Sequence, residues 1–319
     1  MRRRLCSTLS SRVDALVRHV DVRHVEGNAF SGKSVDLGWG RVYGGQTMAQ
    51  AVSAAQAVAG ANRDLHQFTA HFLKGGDVAR DILFDTDVLS GGRSFTVVHV
   101  RAKQQDRAIL SLTASFQAPE LGLESQTIKA LQPEWRRPDE LQSLEEHMAP
   151  YLERMPKRLA RLYMDGPIEI RPSTFAAPWD ESHREPQRAF WVRLRGGVPD
   201  DPRVHQRLLT YISDWGLLET ALLPLPTAAW LPHMQVASLT HSVHFHHPSR
   251  FRLDGEWLCH VMTSPVAAGA RGYAMGEVWT EGGLLVASTS QEGLIRRRED
   301  KLGGAHSEES GERRGKLGT

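Results

Sequence analysis

The sequence predicts an α+β fold written twice, two repeats that each wrap an antiparallel sheet around a long helix. Three observations support this. An Ala-rich stretch without Gly or Pro runs over 46–58, four strand-like segments with turn residues between them follow it, and the same order recurs after residue 200. Landmarks recur too, since Phe72 and Gln117 lie 45 positions apart and Phe245 and Gln291 lie 46 apart.

Residues 1–24 form an N-terminal segment, rich in Arg and Ser as far as Arg12 and expected to be frayed. The first repeat spans 25–118. Its small helical side chains let other elements pack closely, and its strands are expected at 65–73, 81–89, 95–103 and 108–117, with Gly91-Gly92 as a turn. A connector without a core of its own follows over 119–165, marked by Pro119, Pro133, Pro138, Pro150 and Pro156 and by charged helical stretches near 139–148 and 151–163. The second repeat spans 166–296. Strands at 167–172 and 190–194 open it. A helix over 204–223, apolar at Leu208, Tyr211, Ile212, Trp215 and Leu218, leads to strands at 236–246, 256–262, 271–280 and 284–295. Residues 297–319 are charged and Gly-rich and are expected to be disordered.

Composition narrows the function. A length of 319 residues with 40% hydrophobic and 24% charged residues suits two ordinary domains. A net charge of +2 gives no global field for nucleic acid, so a polyanionic ligand needs a local basic patch. Two cysteines, Cys6 and Cys259, make no disulfide framework and fit a reducing, cytoplasmic setting. No apolar run is long enough to span a bilayer. The basic start lacks the apolar stretch of a secretory signal, which leaves organellar import as the alternative to the cytoplasm.

Several motifs do not survive their context. Residues 27–34, from Gly27 to Gly32-Lys33-Ser34, match a phosphate-binding loop, but Gly38 and Gly40 follow too soon for the helix that such a loop must start. His241, His244, His246 and His247 alternate in direction along a strand, with no carboxylate or cysteine near in sequence to complete a metal site. Gly44-Gly45-Gln46 is shared with translation release factors, where it sits on an exposed loop; here it opens an apolar helix. The nucleophile elbow G-x-S-x-G of the α/β hydrolases is absent.

Arg41-Val42-Tyr43-Gly44-Gly45-Gln46 before an Ala-rich helix resembles the opening signature of the acyl-CoA thioesterase II family. The resemblance continues through Phe72-Leu73-Lys74-Gly75-Gly76-Asp77, Leu112 to Gln117, Tyr211-Ile212-Ser213-Asp214, Ser264-Pro265, Ala270-Arg271-Gly272 and Val286 to Gly293. It covers roughly residues 25 to 296. It implies a double hotdog fold with the two sheets joined edge to edge, and cleavage of acyl-CoA to fatty acid and CoA without metal or cofactor. It also implies homo-oligomers. The family's acid falls on Asp214, its hydroxyl on Ser238 and its amide on Gln291. Thr240 and His244 depart from the family pattern and bear on substrate preference and local hydrogen bonding.

Thioester hydrolysis needs a water that loses a proton as it attacks, and a carbonyl oxygen that gains charge. Asp214 borders the apolar stripe of its helix, where partial desolvation raises its basicity; taken alone it reads as a solvated helix acid, and the resemblance makes it the base. Ser238 and Gln291 can hold the water or donate to the oxyanion, and Gln291 is matched with Gln117 of the first repeat. The first helix carries Gln46 and Gln50 where an acid would stand, so one half is expected to lack catalysis. Gly44, Gly45 and Gln46 are expected at the substrate, the glycines because their backbone can approach it closely. Arg271 and Arg296–Arg298 are candidate anchors for the CoA phosphates. Two alternatives remain open: a non-catalytic acyl-CoA binding module, and a hotdog hydratase, which would need a His/Asp pair at the helix; the second helix has His205 but no such pair near Asp214.

Overall fold

A computed structural model describes residues 2–127, 135, 137–155 and 157–298, with the backbone alone for 2–10. In chain order the elements are α1 (Arg2–His19), β1 (Arg23–Glu26), β2 (Ala29–Gly32), α2 (Gly44–Ala59), β3 (Asp64–Phe72), β4 (Ile82–Gly91), β5 (Phe95–Gln104) and β6 (Arg107–Gln117). Then come α3 (Leu144–Met148), α4 (Lys157–Asp165), β7 (Ile168–Pro172), β8 (Gln187–Leu194), α5 (Pro202–Ser213), β9 (Met234–Phe245), β10 (Leu258–Ala268), β11 (Arg271–Thr280) and β12 (Leu285–Arg297).

All twelve strands form one sheet in the order β1-β2-β4-β5-β6-β3-β9-β12-β11-β10-β8-β7. The order reads the same from either end once each strand is exchanged for its counterpart, so each half is a six-stranded unit and β3 meets β9 at the seam. There Thr69 lies opposite Ser242 and their hydroxyls stand 2.9 Å apart. Adding 173 to Thr69 gives Ser242, and adding it to Phe72 gives Phe245. The approximate twofold axis therefore passes through this hydroxyl pair.

The alternation of buried and exposed residues explains the strands. In β5, Thr96, Val98, Val100, Ala102 and Gln104 turn to the core while the residues between them face outward. α2 packs across β2 to β6, and a 3-10 turn at Leu218–Leu222 packs across β10 to β12. Almost every residue of α2 is buried, which its Ala49, Ala51, Ala54 and Ala55 allow, because only small side chains let sheet and helix close in on it from several sides. α2 also packs against α5, where Gln56 donates to the Gln206 side chain at 3.0 Å.

Some expectations need correction. The N-terminal segment is helical as α1 and buries Val13 and Leu16 in the main core from one helix face, joined there by Val20 just past the helix end. The second helix stops at Ser213 instead of running to 223; Gly216, at φ +76°, turns the chain before the 3-10 segment. The connector packs Met148, Met155 and Leu159 into a small core with Trp39, Phe175 and Trp230. As expected, the residues resembling a phosphate-binding loop are not followed by a helix at Ser34; they belong to the β1–β2 hairpin, which turns at Gly27 with φ +48°. The expected disordered tail from residue 299 onward lies outside the described residues. No described helix is long and apolar enough to cross a membrane.

Candidate active site

Asp201 caps the start of α5 through the Arg203 N–H, with Pro202 at the first helical position. At the other end Asp214 is the capping residue, and its side chain is only 7% exposed. The start of α2 meets it. The Gly45 N–H donates to Asp214 Oδ2 at 2.9 Å. A Cβ on Gly44 would stand 2.7 Å from that oxygen, and one on Gly45 would stand 2.3 Å from the Tyr211 carbonyl oxygen. The glycine pair is needed so that α2 can reach Asp214 and Tyr211. Tyr43 locks the same junction by donating from its hydroxyl to the Tyr211 carbonyl at 3.0 Å.

β12 supplies Gln291, which is 1% exposed and on the helix-facing side of the sheet. Its Nε2 donates to Asp214 Oδ1 at 2.7 Å and to Ser238 Oγ at 2.8 Å. Simple alternation along β9 would turn Ser238 away from this side, because His241 already faces it and lies opposite Gln291. Thr240 pairs with Glu292 and Ser238 with Gly293, so Leu239 is an extra residue. This bulge re-aims Ser238 to the inner face. The resemblance-based trio of Asp214, Ser238 and Gln291 thus meets in one hydrogen-bonded cluster built from three elements.

Burial pushes the Asp214 carboxyl up to about 6, Glu219 adds to the rise, and the Gln291 and Gly45 N–H groups hold it back. The cluster opens on a cleft of about 350 Å³ lined by Arg41, Tyr43, Gly44, Phe72, Lys74 and Ser238 among others. On the far side of Trp215 a second cavity, about 370 Å³, is lined by Trp135, Tyr163, Phe175, Phe190 and Arg188.

Other candidate residues lie elsewhere. Gln46 is fully buried, donates to the Lys33 carbonyl at 3.0 Å and accepts from the Val35 N–H at 3.4 Å, so it ties a loop to α2 and does not face the cleft. Arg271 pairs with Leu294 in the ladder, on the face opposite Gln291, and is held by Glu292 at 2.9 Å. Arg296 shares that outer face, while Arg297 donates to the Pro226 carbonyl at 3.0 Å. Thr240 and His244, opposite Glu292 and Ser288, also lie on the outer face and do not touch the cluster.

The repeat also aligns differently from the sequence landmarks. The bulge recurs in the first half, where His66 is the extra residue between Leu65 and Gln67. The twofold relation carries Ser238 onto Leu65, His241 onto Phe68 and, through the ladder, Gln291 onto Ala114. Gln117 points the other way, since its neighbour Phe116 is the buried one. The first half therefore holds three apolar residues where the second holds the polar cluster.

Sequence reasoning missed Arg41 and Lys74 as the cleft's cations, although both stand inside the recognised motifs. It also passed over His241, grouped with its neighbours as a metal decoy. His241 is fully buried, with Nε2 3.0 Å from Ser213 Oγ and Nδ1 4.0 Å from Asp214 Oδ1. Burial, and then His260, push it down to about 3 against an opposing side-chain contact with Gln291, so its ring is neutral. It does not line the cleft, so it presents no ring nitrogen there for a hydratase's acid. His205, also buried, accepts from the Leu253 N–H at 3.3 Å. Among the described residues no group of three or more His, Cys, Asp or Glu could hold a metal.

The architecture is a double hotdog, and its polar cluster is of a kind that can activate water beside a bound thioester. The family models for the acyl-CoA thioesterase N-terminal and C-terminal domains match residues 35–117 and 138–295. Acyl-CoA thioesterase 2 of Haemophilus influenzae is 34% identical over 289 residues, covering 90% of this chain and 99% of its own. Acyl-coenzyme A thioesterase 8 of Homo sapiens is 34% identical over 267 residues, covering 80% and 81%. Among solved structures, an acyl-CoA thioesterase II from Mycobacterium marinum superposes with a TM-score of 0.69 at 29% identity, covering 89% of this chain and 97% of the other. The chain belongs to the acyl-CoA thioesterase II family and is a thioester hydrolase.

Proposed function

We propose that the protein hydrolyses fatty acyl-CoA to free fatty acid and CoA, with Asp214 as general base and Ser238 and Gln291 as its hydrogen-bonding partners. The observation that carries this reading is the double donation of Gln291 Nε2 to Asp214 Oδ1 and Ser238 Oγ. It leaves the carboxylate and the hydroxyl side by side at the cleft wall. A water between them gives a proton to Asp214 as its oxygen attacks the thioester carbon. The carbon–sulfur bond then breaks and the CoA thiolate leaves. A carboxyl raised to about 6 is a stronger base than an ordinary aspartate and is still ionised at neutral pH.

Gln291 has both amide protons engaged, so it orients and does not bind the oxyanion. The first N–H groups of a helix have no partner within it, and Gly44, at the first turn of α2, lines the cleft. Its N–H is assigned to the developing oxyanion. Arg41 and Lys74, at the same cleft, are assigned to the CoA phosphates in place of Arg271. The aromatic cavity at Trp215 is assigned to the acyl chain, since Trp135, Tyr163, Phe175 and Phe190 line it and Trp215 directly follows the acid in the chain.

The test is thiol release from short, medium and long acyl-CoAs by the wild type and by Asp214→Asn. The reading expects turnover that drops at least ~10²-fold in the folded mutant. Binding without turnover by the wild type at every chain length would favour an acyl-CoA binding module. Equal turnover by both proteins would keep the activity and overturn the site.

A further inference from the structure

We propose that His241 is a positioning residue: as the neutral Nδ1–H tautomer it donates to Gln291 Oε1 and holds that amide with both N–H bonds turned to Asp214 and Ser238. The inference rests on the cluster proposed above and adds a fourth member. Two buried atoms motivate it. Gln291 Oε1 and His241 Nδ1 each lack a hydrogen bond to any other described group, and they belong to residues directly opposite each other on β12 and β9. An unmet buried acceptor and an unmet buried donor are each costly, and pairing them removes both costs.

The chemistry of Gln291 shows why the donor matters. An amide can turn over and exchange its oxygen for its nitrogen. The turned form would place Oε1 against Asp214 Oδ1, where Nε2 now stands at 2.7 Å. An ionised Asp214 forbids that by charge. Once Asp214 has taken the proton of the attacking water the prohibition lapses, and the amide could settle with its oxygen toward the acid. A donor on the other side of Oε1 prevents this through the whole cycle.

His241 is held for this task. Ser213 Oγ stands 3.0 Å from Nε2 and 2.9 Å from the Thr210 carbonyl, and the Nδ1–H tautomer requires its single proton to turn from that carbonyl to Nε2. The ring of Phe68, from the first half, lies nearly parallel to the imidazole at 6.4 Å. The charged or titratable groups around the site are Asp214 at the end of α5, His260 on β10, Glu219, which raises Asp214, and Tyr43 and Tyr211, whose phenols Asp214 raises. His260 bonds Thr289 and is itself buried and neutral, pushed down to about 4. Among the described residues no lysine or arginine acts on the ring, and the neutral form persists across the working pH range.

The experiment compares wild type, His241→Leu, His241→Asn and His241→Gln in steady-state hydrolysis over a pH series, with Asp214→Asn beside them. The asparagine amide nitrogen falls near the position of Nδ1, whereas that of glutamine falls near Nε2. The expected result is a kcat lower by about tenfold or more in His241→Leu with KM nearly unchanged. The acid limb of its kcat/KM profile should move to higher pH, because Asp214 loses a well-placed donor. His241→Asn should recover most of the loss and His241→Gln should not. Nitrogen-15 spectra of histidine-labelled wild type, assigned by the signal lost in His241→Asn, should show the Nδ1–H tautomer.

Equal recovery by both amides, an unshifted limb in His241→Leu, or an Nε2–H tautomer would each overturn the proposal. Should His241→Leu fail to fold, the two amide variants and the wild-type spectrum still decide. A dead Asp214→Asn beside an unimpaired His241→Leu sinks the role of His241 alone, while a fully active Asp214→Asn sinks the cluster and this role with it.

Discussion

As the proposed general base, Asp214 combines two demands that ordinarily conflict. It must be buried enough to be a strong base, and burial of an acid costs stability. The sign follows from its pKa, which lies above the ordinary value of 3.8 at about 6 in the folded chain. Below 3.8 both states carry the proton and there is no penalty. As pH rises to about 6 the unfolded chain releases its proton first, so the fold loses stability across that window and the loss is complete above it. The stability of Asp214→Asn relative to wild type should therefore climb between those values and level off at higher pH. Urea unfolding of the two proteins across the range checks this, and a flat difference would contradict it. Activity should follow the opposite course, with kcat/KM falling below pH about 6 as Asp214 is protonated. Arg41→Ala and Lys74→Ala should raise KM several-fold, about 1 kcal/mol each, with little change in kcat, and make KM less sensitive to salt. Asp214, Ser238 and Gln291 could be named from family motifs, but the roles of Arg271 and Arg41 could not be ranked, because which face of a strand a residue occupies depends on the ladder register.

At the scale of elements, the strands could be read closely because alternation survives in them; β11 runs over the residues expected for it. The bulge at Leu239 could not be read, since one extra residue leaves no mark in composition. Yet it decides on which face Ser238 lies. Deleting Leu239 should restore plain alternation, turn Ser238 to the outer face and abolish turnover, which thiol release on the folded variant would measure. The early end of α5 was legible in principle from Gly216, and the apolar pattern running on to Leu218 masked it. The start of α2 is equally constrained. Gly45→Ala drives a methyl group into the Tyr211 carbonyl, a backbone atom that cannot step aside. A loss of about 2 kcal/mol or more is expected, together with a large fall in activity as the helix start moves away from Asp214. Thermal unfolding and rate measurements on the same preparation test both parts.

Over the whole molecule, the duplication was visible in the order of helix and strands, while its true alignment was not, because Gln117 and Gln291 match as letters and not as faces. The two halves are interdependent. The acid, the hydroxyl and the amide come from the second half; the N–H that meets the acid, the cleft cations Arg41 and Lys74, and the ring against His241 come from the first. Neither half carries a complete site, so the halves produced as separate chains should each be inactive, and activity should return only when they pair through β3 and β9. Mixing the purified halves and measuring thiol release tests this.

Leu65, Phe68 and Ala114 occupy the positions that mirror Ser238, His241 and Gln291. On the proposed assignment the duplicated frame contains one reacting centre and one inert counterpart, and an inhibitor that resembles the tetrahedral intermediate should saturate at one equivalent per chain. The inert side has been released from the requirement to keep buried polar groups matched, and it contributes to cohesion instead. Mutations there should register as changes in melting temperature, whereas their mirror images should register as changes in rate.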